Sequence, residues 1–474
     1  MEGEKKMGDP HFAVTYPNTD TGPENENIFL SAFSEFDYEG LARSGALSGS
    51  TAQFSLLAGP HLLKRTEPLN QWRETRGKHG VWQYSRSLEG PPHAIATIHD
   101  EKGAKARGIN FASQDYLSLA SHPAIVEAAT RALRDYGPHS AGSAVLLGNT
   151  RLSLALEEAL ADLLQMEHIV LFPTGWGAGF GAISALVRPD DHVVIDQLAH
   201  ASLKQGAAAA TQNICTTRHL DIEHVRQVLK DIRVRDAQHG ILVITEGLFS
   251  MDSDMPDIPK LQSICREHDA ILLVDVAHDL GAMGPGGTGC IGMQKMLGEV
   301  DLVMGAFSKS FASNGGFLAT HSEAVKQYIK LFGGPHMFSN ALSPLQAAVV
   351  LECVNIIRSA EGEELRADLT RNVRALRNEL ASAGISCLGE PSPIVPVLIG
   401  SEKISRLVGR LIFEQSVFAN QVEFPGVPIG ASRLRMQVMA NHNVQQAKRA
   451  AAVIREAIGQ ARNMLKIMDA ASPK

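Results

Sequence analysis

Lys309 sits in the stretch GAFSKSFASNGGF (305–317), directly after the apolar run DLVMGAF (301–307). Burying an ammonium at the tip of such a run is costly. The ordinary explanation is a lysine whose stem packs inside while its head reaches water. Four other apolar runs, however, also end on polar or reactive side chains. Thr174, Gly175 and Trp176 follow HIVLF (168–172), and Asp196 and His200 follow HVVID (192–196). Glu246 and Ser250 follow GILVIT (240–245), and Asp275 and His278 follow AILLVD (270–275). A lysine, a carboxylate and a flat-stacking histidine at one sheet rim are the parts needed to hold pyridoxal phosphate. The amine forms a Schiff base with the aldehyde, helped by desolvation. The carboxylate keeps the pyridine nitrogen protonated, which makes the ring an electron sink. A glycine-rich strand-to-helix turn supplies amides for the phosphate.

The elements that must position these residues read as alternating strands and helices. Near-continuous apolar runs predict a mostly parallel sheet covered on both faces. Ligands of such sheets sit beyond the carboxyl ends of the strands, where the polar residues gather. Helical patterns lie between the runs, as in LDIEHVRQVLKDIR (220–233) and IPKLQSICREHD (258–269). Residues 1–60, rich in Gly, Ser, Asn and acidic residues, read as a mobile or loosely packed extension. Residues 61–108 read as an arm on the main body, and 109–335 as a large cofactor-binding domain. Residues 336–474 read as a smaller α+β domain, with helices over 362–384 and 443–465 and strands IVPVLIG and SRLRMQVMA. On the last of these, one of Arg433 and Arg435 is expected to point inward and the other to solvent.

Composition narrows the class further. The chain has 474 residues, 44% hydrophobic and 20% charged, the balance of an ordinary globular protein. Its net charge of −7, with no long basic run, gives no footing for nucleic acid or an anionic membrane. Five cysteines without a CxxC pair argue against a disulfide framework and a structural zinc, and suit a reducing cytoplasm. The start, MEGEKKMGDPHFAVTYPN, lacks the apolar core of a secretory signal. Residues 168–187 carry no acidic, lysine or arginine side chain, yet contain Pro173 and four glycines. They read as strand, turn and helix, so no transmembrane segment is expected.

Eight stretches then come in a known order: NFASQDYLSLASHP, FPTGWGAGFGAI, DQLAHASLKQG, TEGLFSMDSDMPDI, DVAHDLGAMGPGGTG, GAFSKSF, MFSNALSP and SRLRMQV. With them, the chain from about residue 109 onward resembles the α-oxoamine synthases, fold-type I pyridoxal phosphate enzymes. The resemblance implies that fold and gives each residue a role. Lys309 would carry the cofactor and act as base, Asp275 would pair with the ring nitrogen, and His200 would stack on the ring. His278 and Ser250 would contact its phenolic oxygen. Gly175, Trp176 and Ser308 would hold the phosphate, joined by Ser339 and Asn340 from the second subunit of a homodimer with shared sites. Arg435 would bind the amino-acid carboxylate, with Gln114 nearby. The implied reaction condenses a small amino acid (serine, alanine or glycine) with an acyl thioester of CoA or acyl-carrier protein, with loss of carbon dioxide. The family pattern is departed from at Ala144, Ser153, Val276 and Ala306, where an arginine, a histidine, an acidic residue and a threonine are usual. Another fold-type I activity, a carbon–carbon lyase or an aminotransferase, stays open, as does a non-catalytic scaffold.

Overall fold

Thirteen strands form two sheets in the computed structural model, which describes residues 38–471. In chain order they are β1 (Ser87–Leu88), β2 (Ile95–His99), β3 (Lys105–Phe111), β4 (His168–Phe172) and β5 (His192–Asp196). Next come β6 (Ile214–Thr217), β7 (Ile241–Glu246), β8 (Ile271–Asp275), β9 (Leu302–Ala306) and β10 (Gly316–Thr320). The last three are β11 (Ile394–Gly400), β12 (Val417–Val422) and β13 (Ser432–Gln437). The larger sheet has the order β4-β10-β9-β8-β7-β5-β6. It is parallel except for β10, which runs antiparallel to both β4 and β9.

Although the runs are apolar throughout, their side chains still alternate between faces. Val170, Val193, Ile195, Leu242, Ile244 and Met304 form one core with Ala182, Leu203 and Ile329. These last three come from the helices Gly175–Leu186, Ala201–Ala210 and Glu323–Phe332. Ile169, Val194, Val243, Leu272 and Val303 join the main core on the other face. That face is covered by helices that include Arg151–Leu164, Ile222–Arg235, Ile258–Glu267 and Pro344–Ile357. Two-sided burial is the reason the sequence runs read as unbroken. The edge strand β6, more polar as NICTT, carries no such signal.

The smaller sheet has the order β1-β2-β3-β12-β13-β11. Its middle joint is the parallel pair β3–β12, with Ile109 opposite Val417. A Cβ on Gly108 would lie 2.0 Å from the Ser416 carbonyl oxygen, so this approach demands glycine. Thus residues 87–111 and 394–437 build one sheet on either side of the chain that forms the larger one.

Residues 1–37 of the extension read over 1–60 lie outside the described residues. Leu41, Ala46 and Leu47 are buried, and the helix Tyr38–Ser44 packs on the long C-terminal helix Val444–Ala471. Here Glu423 is shared by two buried guanidiniums, Arg76 at 3.3 Å and Arg406 at 2.8 Å. Arg76 also donates to the Ala46 carbonyl, and Arg406 to those of Leu47 and Gly49. Among the described residues, no helix is long and apolar enough to cross a membrane.

Candidate active site

A cavity of about 260 Å³ opens beyond the carboxyl ends of the larger sheet. Seven of the residues given a cofactor role from the sequence line it: Gly175, Trp176, His200, Asp275, His278, Ser308 and Lys309. Lys309 follows β9, and no hydrogen bond or ion pair engages its ammonium among the described residues. Burial pushes its pKa down, against the upward pull of Asp275 and Glu246. Burial likewise raises the Asp275 carboxyl, opposed by Lys309. One Asp275 oxygen accepts the Ala277 amide at 2.9 Å. His278 is held by the Tyr116 hydroxyl, 2.9 Å from Nδ1, and burial, then the nearby Lys309 charge, keep it well below the usual range. His200 caps the helix Ala201–Ala210, with Nδ1 2.8 Å from the Ser202 hydroxyl. Its imidazole is also pushed down by burial.

The helix Gly175–Leu186 begins at the cavity. Thr174 caps it, its hydroxyl accepting the Gly177 amide at 2.9 Å. The amides of Gly175 and Trp176 have no acceptor within the helix. A Cβ on Gly175 would stand 2.3 Å from the Ala306 Cβ, so the bare backbone fits closely over β9.

Ser250 and Arg435 meet each other, the guanidinium donating to the serine hydroxyl at 3.4 Å. Arg435 is near enough that its charge lowers the pKa of both Lys309 and His278. Its Nε is buried without a partner among the described residues. The expectation that Arg433 and Arg435 face opposite ways is corrected here. Residues two apart on a strand share a face, and Arg433 reaches the same loop, donating to the Met251 carbonyl at 2.8 Å and pairing with Asp252. Ser250, Arg435, Gln114, Ser339 and Asn340 do not line the cavity. Asn340 instead bridges to Ser143, and the Ala341 amide donates to the Gly142 carbonyl at 2.9 Å.

Several contributors had no role assigned from the sequence. Glu246 stands opposite Asp275 in the β7–β8 register, lines the cavity and accepts the His200 amide at 2.6 Å. Its burial, together with Asp275, raises its carboxyl well above the usual range. Asp279, fully buried beside His278, accepts the Cys290 amide at 2.7 Å and is pushed by burial up to about 7. Glu246 could be found as a polar strand end. Tyr116 has no sequence signal, since only folding brings it to His278, whereas Asp279 is the next residue in the chain, inside the stretch DVAHDLGAMGPGGTG.

The lining fits pyridoxal phosphate: an unpartnered lysine amine, a buried carboxylate with an uncommitted oxygen, and a helix start whose first amides lack acceptors share one cavity. Comparison with known proteins agrees. The family described as aminotransferase class I and II matches residues 106–454. The 8-amino-7-oxononanoate synthase of Alkaliphilus oremlandii is 31% identical over 386 residues, which are 81% of this chain and 95% of that protein. The serine palmitoyltransferase of Sphingobacterium spiritivorum is 32% identical over 385 residues, 81% of this chain and 94% of that protein. Among solved structures, Sphingomonas wittichii serine palmitoyltransferase aligns with a TM-score of 0.79 at 27% identity, covering 85% of this chain and 99% of that one. A variant of the S. paucimobilis enzyme, solved with pyridoxal phosphate and myriocin, gives 0.79 at 26% identity, covering 85% and 100%. With the fold-type I architecture and the lysine cavity both in place, the chain belongs to the aminotransferase class I and II family and, within it, to the pyridoxal-phosphate-dependent α-oxoamine synthases.

Proposed function

We propose that this protein condenses a small amino acid (serine, alanine or glycine) with an acyl thioester of CoA or acyl-carrier protein. The products are an α-amino ketone, carbon dioxide and the free thiol. The observation that carries this reading is the convergence of Lys309, Asp275 and His200 on one cavity. Pyridoxal phosphate, when bound, supplies the electron sink for the pair left on the α-carbon.

The chain's own residues do the rest. Lys309, its proton affinity lowered by burial, takes the α-proton of the amino acid as general base. With the cofactor bound, Asp275 would hold a proton on the ring nitrogen, and His200 would stack on the ring and polarise the thioester carbonyl. His278 and Ser250 hold the phenolic oxygen, and Arg435, with Gln114 nearby, receives the amino-acid carboxylate. The amides of Gly175 and Trp176 and the Ser308 hydroxyl bind phosphate at the helix start.

The working unit is a homodimer with shared sites. Ser339 and Asn340, away from their own cavity, reach the phosphate in the second copy. Leu146, Leu147 and Phe338 support this, being 79%, 88% and 86% exposed on the two segments joined by the Ser143–Asn340 bridge. The five free thiols support a cytoplasmic setting.

The test supplies purified protein with carboxyl-labelled glycine, alanine or serine and acyl thioesters of varied chain length. Thiol and labelled carbon dioxide are expected in equal amounts, and conversion of the amino acid to an oxo acid without thiol release would refute the reading. Borohydride is expected to fix the cofactor's mass on the peptide containing Lys309 and to leave Lys309→Ala unlabelled.

A further inference from the structure

We infer that His219 is a positioning residue for this active site, an imidazolium that ties the turn carrying His200 to the loop carrying Ser250. The inference rests on the cofactor contacts proposed above for those two residues.

His219 follows the edge strand β6 and does not line the cavity. Its Nδ1 lies 2.9 Å from Asp196 Oδ1 and its Nε2 3.0 Å from Asp254 Oδ2. Ionised carboxylates only accept hydrogen bonds, so both ring nitrogens donate and the ring is a cation. Burial alone would lower its pKa, but the bonds it donates to Asp196 and Asp254 outweigh that and raise it to about 10. The ring also stands edge-on to Phe249, with centroids 4.6 Å apart.

Each carboxylate is fixed to a different piece of the site. Asp196 accepts the amides of Leu198 at 2.8 Å and Leu220 at 2.9 Å, which shapes the turn leading to His200. Asp254 closes the loop that holds Ser250. Its carbonyl accepts the Phe249 amide at 2.9 Å, and the Ser253 amide returns to Phe249 at 2.8 Å. Ser250 in that loop meets Arg435. One cation therefore joins two loops that come from different strands, one ending at His200 in the cavity wall and the other carrying Ser250 beside Arg435. Asp252 is close enough for a metal to be shared with His219 and Asp254. Yet both ring nitrogens are engaged as donors and Asp252 is paired with Arg433. The linking species is a proton, not a metal.

The test compares the holoenzyme with His219→Gln, alone and in a Ser250→Ala background. Cofactor affinity is read by visible absorbance during titration with pyridoxal phosphate, and kcat and KM by thiol release. His219→Gln takes the cation away from buried Asp196 and half-buried Asp254, so a roughly tenfold to hundredfold loss of cofactor affinity and kcat is expected. In the Ser250→Ala background that loss is expected to shrink at least threefold, about the scale at which coupled residues depart from additivity. An unchanged affinity and kcat, or an equal loss in both backgrounds, would overturn the inference. So would loss of activity with a chelator followed by recovery with zinc or manganese. If His219→Gln does not fold, Asp254→Asn keeps the ring and removes the charge of one of its two partners, and is judged by the same criteria. A wild type that releases no thiol would refute the proposed reaction, while the affinity comparison would still decide the role of His219.

Discussion

Lys309 and Asp275 face each other in a cavity where burial works against both charges. Burial lowers the proton affinity of Lys309 and raises that of Asp275, while the charge of each opposes that shift in the other. Asp275→Asn is therefore expected to keep its far-ultraviolet circular dichroism. Its α-proton exchange in deuterium oxide is expected to fall by about a hundredfold, the scale of losing a preorganised electrostatic partner. Exchange at the wild-type rate would show that the carboxylate is not needed. His219 gives a second prediction with a definite sign. Its folded pKa of about 10 lies above the ordinary 6.5, so its stabilising effect is fully present below pH 6.5 and is lost as pH rises towards 10. Urea titrations at pH 6.5 and 10 are expected to show a fall in wild-type stability that is smaller in His219→Gln. Residue types and their order were enough to single out Lys309, Asp275, His200 and His278, because each ends a buried strand or lies within four residues of its end. His219 follows a strand too polar to be seen, and its two partners are separated from it by 23 and 35 positions. Nothing local could have joined them.

Strands buried on both faces were legible because burial leaves unbroken apolar runs, and β4, β5, β7, β8 and β9 lie where those runs do. The edge strand β6 and the small-sheet strands β1, β2, β3 and β12 were not. An edge strand needs fewer apolar residues, and β3 and β12 are defined by a pairing across most of the chain. The close fit of the helix Gly175–Leu186 over β9 was equally invisible, since it depends on Gly175 and Ala306 both lacking bulk at one contact. Gly175→Ala would press a methyl group to 2.3 Å from the Ala306 Cβ. Overpacking of this kind costs about 1–3 kcal/mol, and the shifted helix start is expected to hold phosphate less well. Adding Ala306→Gly removes the nearer clash, so the double variant is expected to regain part of both the melting temperature and the cofactor affinity. If the double variant is no better than Gly175→Ala alone, this contact does not set the helix position.

The proposed assembly makes a prediction for the whole molecule. A Lys309→Ala chain and a chain altered at both Ser339 and Asn340 are each expected to be nearly inactive as homodimers. In a mixed dimer, a shared-site arrangement leaves one site with every native residue, and activity returns to roughly half per dimer. If each chain serves only its own cavity, mixing restores nothing. The split origin of the smaller sheet has a separate consequence, in the time taken to make the protein. Roughly 300 residues separate β3 from its partner β12, and at about 5–20 residues per second synthesis of that interval takes roughly 15–60 seconds. The larger sheet, contained within residues 168–320, can close during that wait. Meanwhile β3 presents an open edge, including the bare backbone at Gly108, to any other strand in the cell. The glycine that lets Ser416 approach so closely in the finished protein also leaves the nascent chain exposed to wrong pairing until its own partner leaves the ribosome.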